Sequence, residues 1–305
     1  MRVTLIHNSK AGDDDQPSKE GLLSSIERAG HEVSYRSTGD DNWAAALEEP
    51  GDLVVAAGGD GTVGKVAKRL VEQPVPIAVL PLGTANNIAK TLGLMNTPLE
   101  ELIAGWATAP RVKVDTAIAS GAWGKTHLIE SLGVGLFAQT MSRADNSHYV
   151  EQSATADEEL KTVLGLLKEE ISRCPARTIT LSLDGQDISG QYLLLEVMNI
   201  QYVGPNLHLA PHKALSDGQL TVVVVHEHER EPLSEYLTAC LTGHNSPAPF
   251  KQYQGRHLQL QGQEFGIHLD DQQLPYHCLA EADNSCTVTV NVNPQALEFL
   301  GSAAG

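Results

Sequence analysis

A chain of 305 residues exceeds what one core usually organises, so two domains are expected. With 41% hydrophobic and 19% charged residues it has the make-up of a folded globular protein, not of a disordered or low-complexity chain. The formal net charge of −17 argues against nucleic acid as a partner, because a phosphate backbone is bound by clustered Lys and Arg, and it supplies no bulk attraction to an anionic membrane.

The four cysteines, Cys174, Cys240, Cys278 and Cys286, form no CxxC pair, so neither a zinc knuckle nor a disulfide framework is expected and a reduced cytoplasm fits. The chain opens on the strand-like stretch from Arg2 to Ile6, too short for a signal peptide, and no apolar run nears the ~20 residues that span a bilayer. A cytoplasmic protein is expected.

Val3 to Ile6, Val33 to Arg36, Leu53 to Ala57 and Ile77 to Leu80 read as short buried strands bounded by Gly, Pro or Asp, as in a parallel sheet. Between them Leu22, Leu23 and Ile26 make one apolar helix face, and Val63, Val66, Ala67, Leu70 and Val71 make another at helical spacing. A further helix is expected from Thr97-Pro98-Leu99-Glu100, with Thr97 as its cap, Pro98 at the first helical position and Glu100 completing a capping box. Residues 1–115 therefore read as a doubly wound α/β domain.

After Val114 the pattern turns to strands: Thr178 to Leu183, Tyr192 to Val197, Leu220 to His226, Leu258 to Gln261, Gly266 to Leu269 and Thr287 to Val292. In the last, Val288, Val290 and Val292 alternate with Thr287, Thr289 and Asn291, the mark of a half-buried antiparallel strand. Leu160, Val163, Leu164, Leu167 and Ile171 form one amphipathic helix among them. Residues 116–293 read as a β-sandwich or curled sheet carrying that helix. The polar, aperiodic stretch from Met141 to Ala156 reads as a loop, a lid and a plain connector being equally open.

The chemistry concentrates in two glycine turns. From Gly59 the chain nearly spells a P-loop, with Gly64 and Lys65 in register, but Val66 stands where a hydroxyl must hold Mg²⁺. Gly58-Gly59-Asp60-Gly61-Thr62 follows one strand and Pro81-Leu82-Gly83-Thr84-Ala85-Asn86-Asn87 follows another, each leading into a helix pattern. Both would place backbone N–H groups at the carboxyl edge of the sheet, where anions bind. Asp60 amid such amides suggests a cation, Mg²⁺ held through water, with a turn-forming Asx role as the alternative.

Those motifs carry a resemblance. GGDGT followed by PLGTANNIAKTLG resembles the diacylglycerol-kinase catalytic-domain family of lipid kinases, and Leu5-Ile6-His7-Asn8-Ser9-Lys10-Ala11-Gly12 looks like its first motif, with Ser9 where proline is common. Leu207-His208-Leu209-Ala210-Pro211 and Leu215-Ser216-Asp217-Gly218-Gln219-Leu220 resemble its "LAP…DGxL" segment, and His268 to Gln272 stands at its "DGE". GGDGT alone is shared with NAD kinases and phosphofructokinases. The resemblance implies an N-terminal nucleotide-binding domain, a C-terminal β-sandwich with the active cleft between them, and a C-terminal segment, 294–305, that packs back on the first domain.

The resemblance also implies roles. Asn8 and Gly12 would shape the first nucleotide loop, Ser37 or Thr38 would touch the nucleotide, and Gly58, Gly59, Asp60, Gly61, Thr62, Gly83, Thr84 and Asn86 would cradle the ATP phosphates. Asp270 would be the general base. Asp217 would hold a second, structural Mg²⁺ with carbonyls near Ala214 and Gln219, and Asp115 would support the metal and water network. Besides Ser9, three positions depart from the motifs: Asn87 replaces an aspartate, and Asp271 and Gln272 replace the Gly and Glu of "DGE".

The implied activity is an ATP- and Mg²⁺-dependent lipid kinase that meets its lipid transiently at the inner membrane surface. A kinase of a soluble acceptor and a regulator without turnover are the alternatives, and a homodimer is left open.

Overall fold

A computed structural model describes residues 1–12, 16–145, 155–244, 246–263, 265–274 and 285–301. The chain divides into one unit of residues 1–114 with 295–305 and another of residues 115–294.

In the first unit β1 (Arg2–His7), β2 (Glu32–Ser37), β3 (Leu53–Gly58) and β4 (Ile77–Pro81) form a parallel sheet in the order β2-β1-β3-β4. Every residue of the inner strand β3 is buried, whereas β2, at the edge, alternates, as expected of a sheet whose centre is covered on both faces. Leu22 and Ile26 of α1 (Lys19–Arg28) and Ile103 of α4 (Leu99–Gly105) pack with Leu5, Val55 and Leu80. Two further helices, α2 (Asp60–Leu70) and α3 (Asn87–Thr91), begin at the glycine turns.

The start of α4 corrects the sequence reading by one residue. Pro98, with φ −54° and ψ 147°, is itself the cap, no side chain bonds the first turn, and Thr97 lies outside the helix. The extended ψ of Pro98 keeps it from being the first helical residue.

The second unit begins within β5 (Arg111–Gly121), which makes a hairpin with β6 (Gly124–Leu128). The apolar stretch Leu132 to Phe137 splits at Gly135 into β7 (Ser131–Gly135) and α5 (Leu136–Asp145). Gly135 has φ +92°, and a Cβ there would sit 2.3 Å from the Leu193 carbonyl. Helix α5 takes in Met141 to Asp145, which the sequence reading gives to a loop; the remainder of that stretch up to 154 lies outside the described residues.

The polarity of this stretch has a packing cause. Gln139 and Arg143 reach Glu170 of α6 (Ala156–Ile171) at 2.6 and 2.9 Å, and Arg143 also reaches Glu169 at 3.2 Å. The polar face of α5 is therefore turned to a partner helix, and aperiodic polarity hides a helix.

The rest is antiparallel: β8 (Arg177–Leu183), β9 (Gln186–Asp187), β10 (Gly190–Met198), β11 (Leu220–His226), β12 (Lys251–Gly255), β13 (His257–Gln263), β14 (Ile267–Leu269), β15 (Gln272–Leu274) and β16 (Ser285–Leu300), with α7 (Arg230–Leu241) after β11. Strand β10 is the hub, pairing with β7, β8 and β11. Val288 and Val290 are buried with Leu181, Leu195, Val222 and Leu260 in one core, and Leu164, Leu167 and Ile171 of α6 join Leu194, Val223 and Leu237 in another. The chain re-enters the first unit along β16, where Phe299 pairs in parallel with Ile77 of β4 and Glu298 bridges Arg111 at 2.7 Å and Lys113 at 2.9 Å.

Candidate functional site

Parallel strands bring the turns after β1, β2, β3 and β4 to one edge of the first unit's sheet. Asn8 closes the first turn: its carboxamide oxygen accepts the Lys10 N–H at 3.2 Å and its carbonyl accepts that of Ala11 at 3.1 Å. Gly12, at φ +72°, lies so close to the turn after β4 that a Cβ would meet the Leu82 carbonyl at 2.2 Å. Thr38 begins the turn after β2 and donates its N–H to the His7 carbonyl at 2.9 Å.

The two glycine turns touch backbone to backbone. A Cβ on Gly83 would lie 2.2 Å from the Gly59 Cα, and one on Gly58 would strike the Thr62 hydroxyl at 2.5 Å. Leu82 N–H bonds the Gly58 carbonyl at 3.1 Å. Asn86, left-handed at φ 52°, folds its carboxamide onto Gly83, accepting its N–H at 3.0 Å and donating to its carbonyl at 2.5 Å. Thr84 lies within the same turn.

Gly59 caps α2, and the amides of Asp60 and Gly61 fall in the first turn of this helix, where N–H groups have no intrahelical acceptor and the helix dipole is positive. The arrangement can hold an anion on backbone donors alone.

Asp60 joins the two turns. Its Oδ2 accepts the Asn87 N–H at 2.8 Å and its Oδ1 the Ile88 N–H at 2.9 Å, so the carboxylate caps the start of α3. Burial pushes its pKa up, against the opposing pull of those N–H groups and of the Lys90 charge. Burial also lowers the Lys90 pKa, with Asp60 working to raise it. Lys90 carries no role in the sequence reading, although it lies inside the quoted motif; the three-residue offset from Asn87 was the signal that it returns toward the same turn. Both Asp60 oxygens are thus engaged by backbone N–H groups, and among the described residues no cluster of three or more His, Cys, Asp or Glu is placed to hold a metal ion.

In the second unit Asp270 occupies the β14 to β15 turn at φ 50°. Its N–H bonds the Ser131 carbonyl at 2.8 Å, and its Oδ1 accepts N–H groups of Glu130 at 2.7 Å and Ile129 at 3.1 Å. The carboxylate is thereby fixed against the start of β7. Buried Asp115 on β5 takes the Gly218 N–H on its Oδ2 at 2.7 Å, donates its own N–H to the Leu215 carbonyl at 2.7 Å, and receives the Asn199 carboxamide on its carbonyl at 2.8 Å. Asn199 also donates to the Ile129 carbonyl at 2.9 Å, linking the neighbourhoods of Asp115 and Asp270.

Three groups here escaped the sequence reading. Glu196 on β10 and His268 on β14 both lie opposite Gly133 of β7. With no side chain on Gly133 they meet over it, Nε2 to Oε1 at 2.9 Å, where an added Cβ would come within 1.9 Å of Oε1. Burial pulls the His268 pKa down, but the Glu196 carboxylate and the Asp270 backbone raise it further, and the net shift is upward. The His268 Nδ1 lies 3.3 Å from the Asp270 carbonyl, so the pair buttresses the Asp270 turn.

The third is Lys213. Its buried ammonium bonds Asp217 Oδ1 at 2.9 Å and the Ala214 carbonyl. The expectation of a structural Mg²⁺ at Asp217, with carbonyls near Ala214 and Gln219, does not fit these residues, because an ammonium already takes Asp217 Oδ1 and the Ala214 carbonyl, two of the oxygens that the ion would use.

Comparison with known proteins follows the same division. Residues 2–117 match the family described as diacylglycerol kinase catalytic domain, and residues 133–301 match the YegS C-terminal NAD kinase beta sandwich-like domain. A diacylglycerol kinase of Bacillus subtilis (strain 168) is 28% identical over 251 residues, 77% of this chain and 76% of the relative. One of Staphylococcus aureus (strain bovine RF122 / ET3-1) is 26% identical over 266 residues, 81% of this chain and 78% of the relative.

The fold is similar to the crystal structure of a diacylglycerol kinase from Bacillus anthracis str. Sterne, with a TM-score of 0.70 at 18% identity, covering 99% of this chain and 97% of the other. It is less similar to yeast NADH kinase complexed with NADH, at a TM-score of 0.53, 10% identity, and coverage of 99% and 84%. With both domain types present in order over nearly its whole length, the chain belongs to the diacylglycerol-kinase-like family.

Proposed function

We propose that this protein is an ATP- and Mg²⁺-dependent lipid kinase that transfers the γ-phosphoryl group of ATP to a hydroxyl of a diacylglycerol-like or long-chain-base lipid. The observation that carries the reading is the pair of backbone-packed glycine turns, Gly58 to Thr62 at the start of α2 and Gly83 to Asn86 before α3, in a chain of this family.

In this reading the amides of Gly59, Asp60, Gly61 and Thr84 hold the phosphates, Gly83 lets the second turn close on the first, and Asn8, Gly12 and Thr38 shape the nucleotide loops beside them. Asp60 would hold Mg²⁺, which supplies charge neutralisation at the transferring phosphoryl group. Asp270, aimed by Ile129 and Glu130, draws the proton from the acceptor hydroxyl. Asp115 keeps the loop around Gly218 in place. Asn87 and Gln272, where the resemblance expects acids, leave more of the charge work to Asp60. Contact with the membrane is peripheral and transient, since the net charge of −17 gives no bulk electrostatic hold.

The C-terminal domain's NAD-kinase-like description favours one second reading, phosphorylation of a soluble acceptor. Both are tested together by following γ-labelled phosphate from ATP, with Mg²⁺, to diacylglycerol, monoacylglycerol, sphingoid base and phosphatidylglycerol in mixed micelles, with NAD alongside. Label in the organic phase is the expected result and names the acceptor; label only in an aqueous product establishes the second reading. ATP binding without transfer to any acceptor would refute both.

A further inference from the structure

Burying an ammonium is costly unless it is paired and hydrogen-bonded, and the surroundings of Lys213 meet that cost. Its side chain is 0% exposed and its Nζ is held by Asp217 Oδ1 at 2.9 Å and by the Ala214 carbonyl. The same Oδ1 accepts the Gln219 N–H at 3.0 Å, and the Gln201 carboxamide holds the Lys213 carbonyl at 3.1 Å. Gly218 and Leu215, on either side of Asp217, tie the loop to Asp115.

The ammonium therefore sits within the stretch from Lys213 to Gln219, on Asp217 Oδ1 and the Ala214 carbonyl, oxygens that a divalent cation at Asp217 would need. Mg²⁺ requires oxygens at roughly 2.0–2.1 Å in a near-octahedral set. A second positive charge added beside a buried ammonium is repelled by it.

We propose that Lys213 is a built-in cation: its ammonium replaces a structural divalent ion at Asp217, so that the loop and its grip on Asp115 are independent of metal. The inference does not depend on the kinase reading, since it concerns how a loop is held and not what is transferred.

Amide hydrogen exchange on the full chain, without nucleotide, reads the loop directly at Gly218 and Gln219, with the β1 amides as an internal reference. The wild type is expected to protect both amides equally in EDTA and in millimolar Mg²⁺. Lys213→Ala is expected to lose about tenfold or more of that protection in EDTA and to regain it in Mg²⁺, because the vacated acceptors then accept the ion.

A tenfold gain of protection in the wild type on adding Mg²⁺ would overturn the proposal. So would Lys213→Ala amides that are protected in both conditions, or in neither. Should Lys213→Ala not fold, counting bound Mn²⁺ by paramagnetic resonance in the wild type and in Asp217→Asn decides alone: equal counts support the proposal, and one ion fewer in Asp217→Asn refutes it.

Discussion

The two units build their chemistry in different ways. In the first, the candidate site is backbone: glycines let two turns close on one another, and a helix start supplies the donors. In the second, it is side chains: Asp115, Asn199 and Asp270, brought from far apart in sequence and fixed by main-chain partners elsewhere in the fold, and Lys213 and Asp217, paired with each other within one loop. A backbone site is tolerant of what its side chains are and intolerant of added volume. A side-chain site is the reverse, and substitutions should separate the two.

The largest effect is expected from Asp270→Asn. The asparagine keeps the size and can keep the Glu130 and Ile129 contacts through its oxygen, while removing the base. Loss of one general base costs typically 10²–10⁴-fold, so phosphoryl transfer should fall by about a thousandfold with ATP affinity and folding unchanged. A fall of less than about threefold in turnover would remove Asp270 from the chemistry.

Gly83→Ala should act oppositely. The added Cβ meets the Gly59 Cα at 2.2 Å, backbone against backbone, and neither turn can yield without moving the other. A displacement near 1 Å costs about a hundredfold in a positioned reaction, and here it should show first as weakened ATP binding, measured by calorimetry. Normal ATP affinity in this variant would mean that the turns do not hold the phosphates.

This contrast also explains what the sequence made legible. Backbone sites are written locally: GGDGT and GTANN are contiguous, and the strands that precede them are short apolar runs. Side-chain sites depend on register. The meeting of Glu196 with His268 is visible only once both are known to lie opposite Gly133, across strands 72 residues apart. Lys213 is hidden for a different reason: it falls between the positions that carry the "LAP…DGxL" resemblance, and its pairing with Asp217 shows only in the folded loop. Helix α5 was missed because Arg143 and Gln139 serve Glu170 on another helix, so its pattern carries a partner's information as well as its own.

Gly133→Ala tests the register without replacing a charged residue. Its Cβ would come 1.9 Å from Glu196 Oε1 and 2.3 Å from His268 Nε2, forcing the pair apart in a packed core. Overpacking of this kind costs about 2 kcal/mol, read as a lowered midpoint in urea. The variant should lose more stability than Ala substitution at Gly165 in α6, where an added Cβ meets nothing within 4 Å.

The smallest effect should be a dependence of stability on pH. The His268 pKa in the folded protein is raised from its ordinary value of 6.5, the burial penalty being outweighed by Glu196 and the Asp270 carbonyl. A raised folded-state pKa means that the folded chain binds the proton more tightly than the unfolded one. Its contribution is therefore complete below pH 6.5 and fades as pH climbs through the higher, folded-state value. His7 and His208, whose pKa values burial lowers, work in the other direction, so the wild-type curve is a sum of opposing slopes. The measurement that isolates the pair is a difference: urea midpoints of wild type and His268→Gln across pH 5 to 9. The gap between them should be widest at the acid end and shrink as pH rises. A gap that grows with pH would mean that His268 is neutral when folded, and that it supports the Asp270 turn as a hydrogen-bonded neutral group instead of as half of an ion pair.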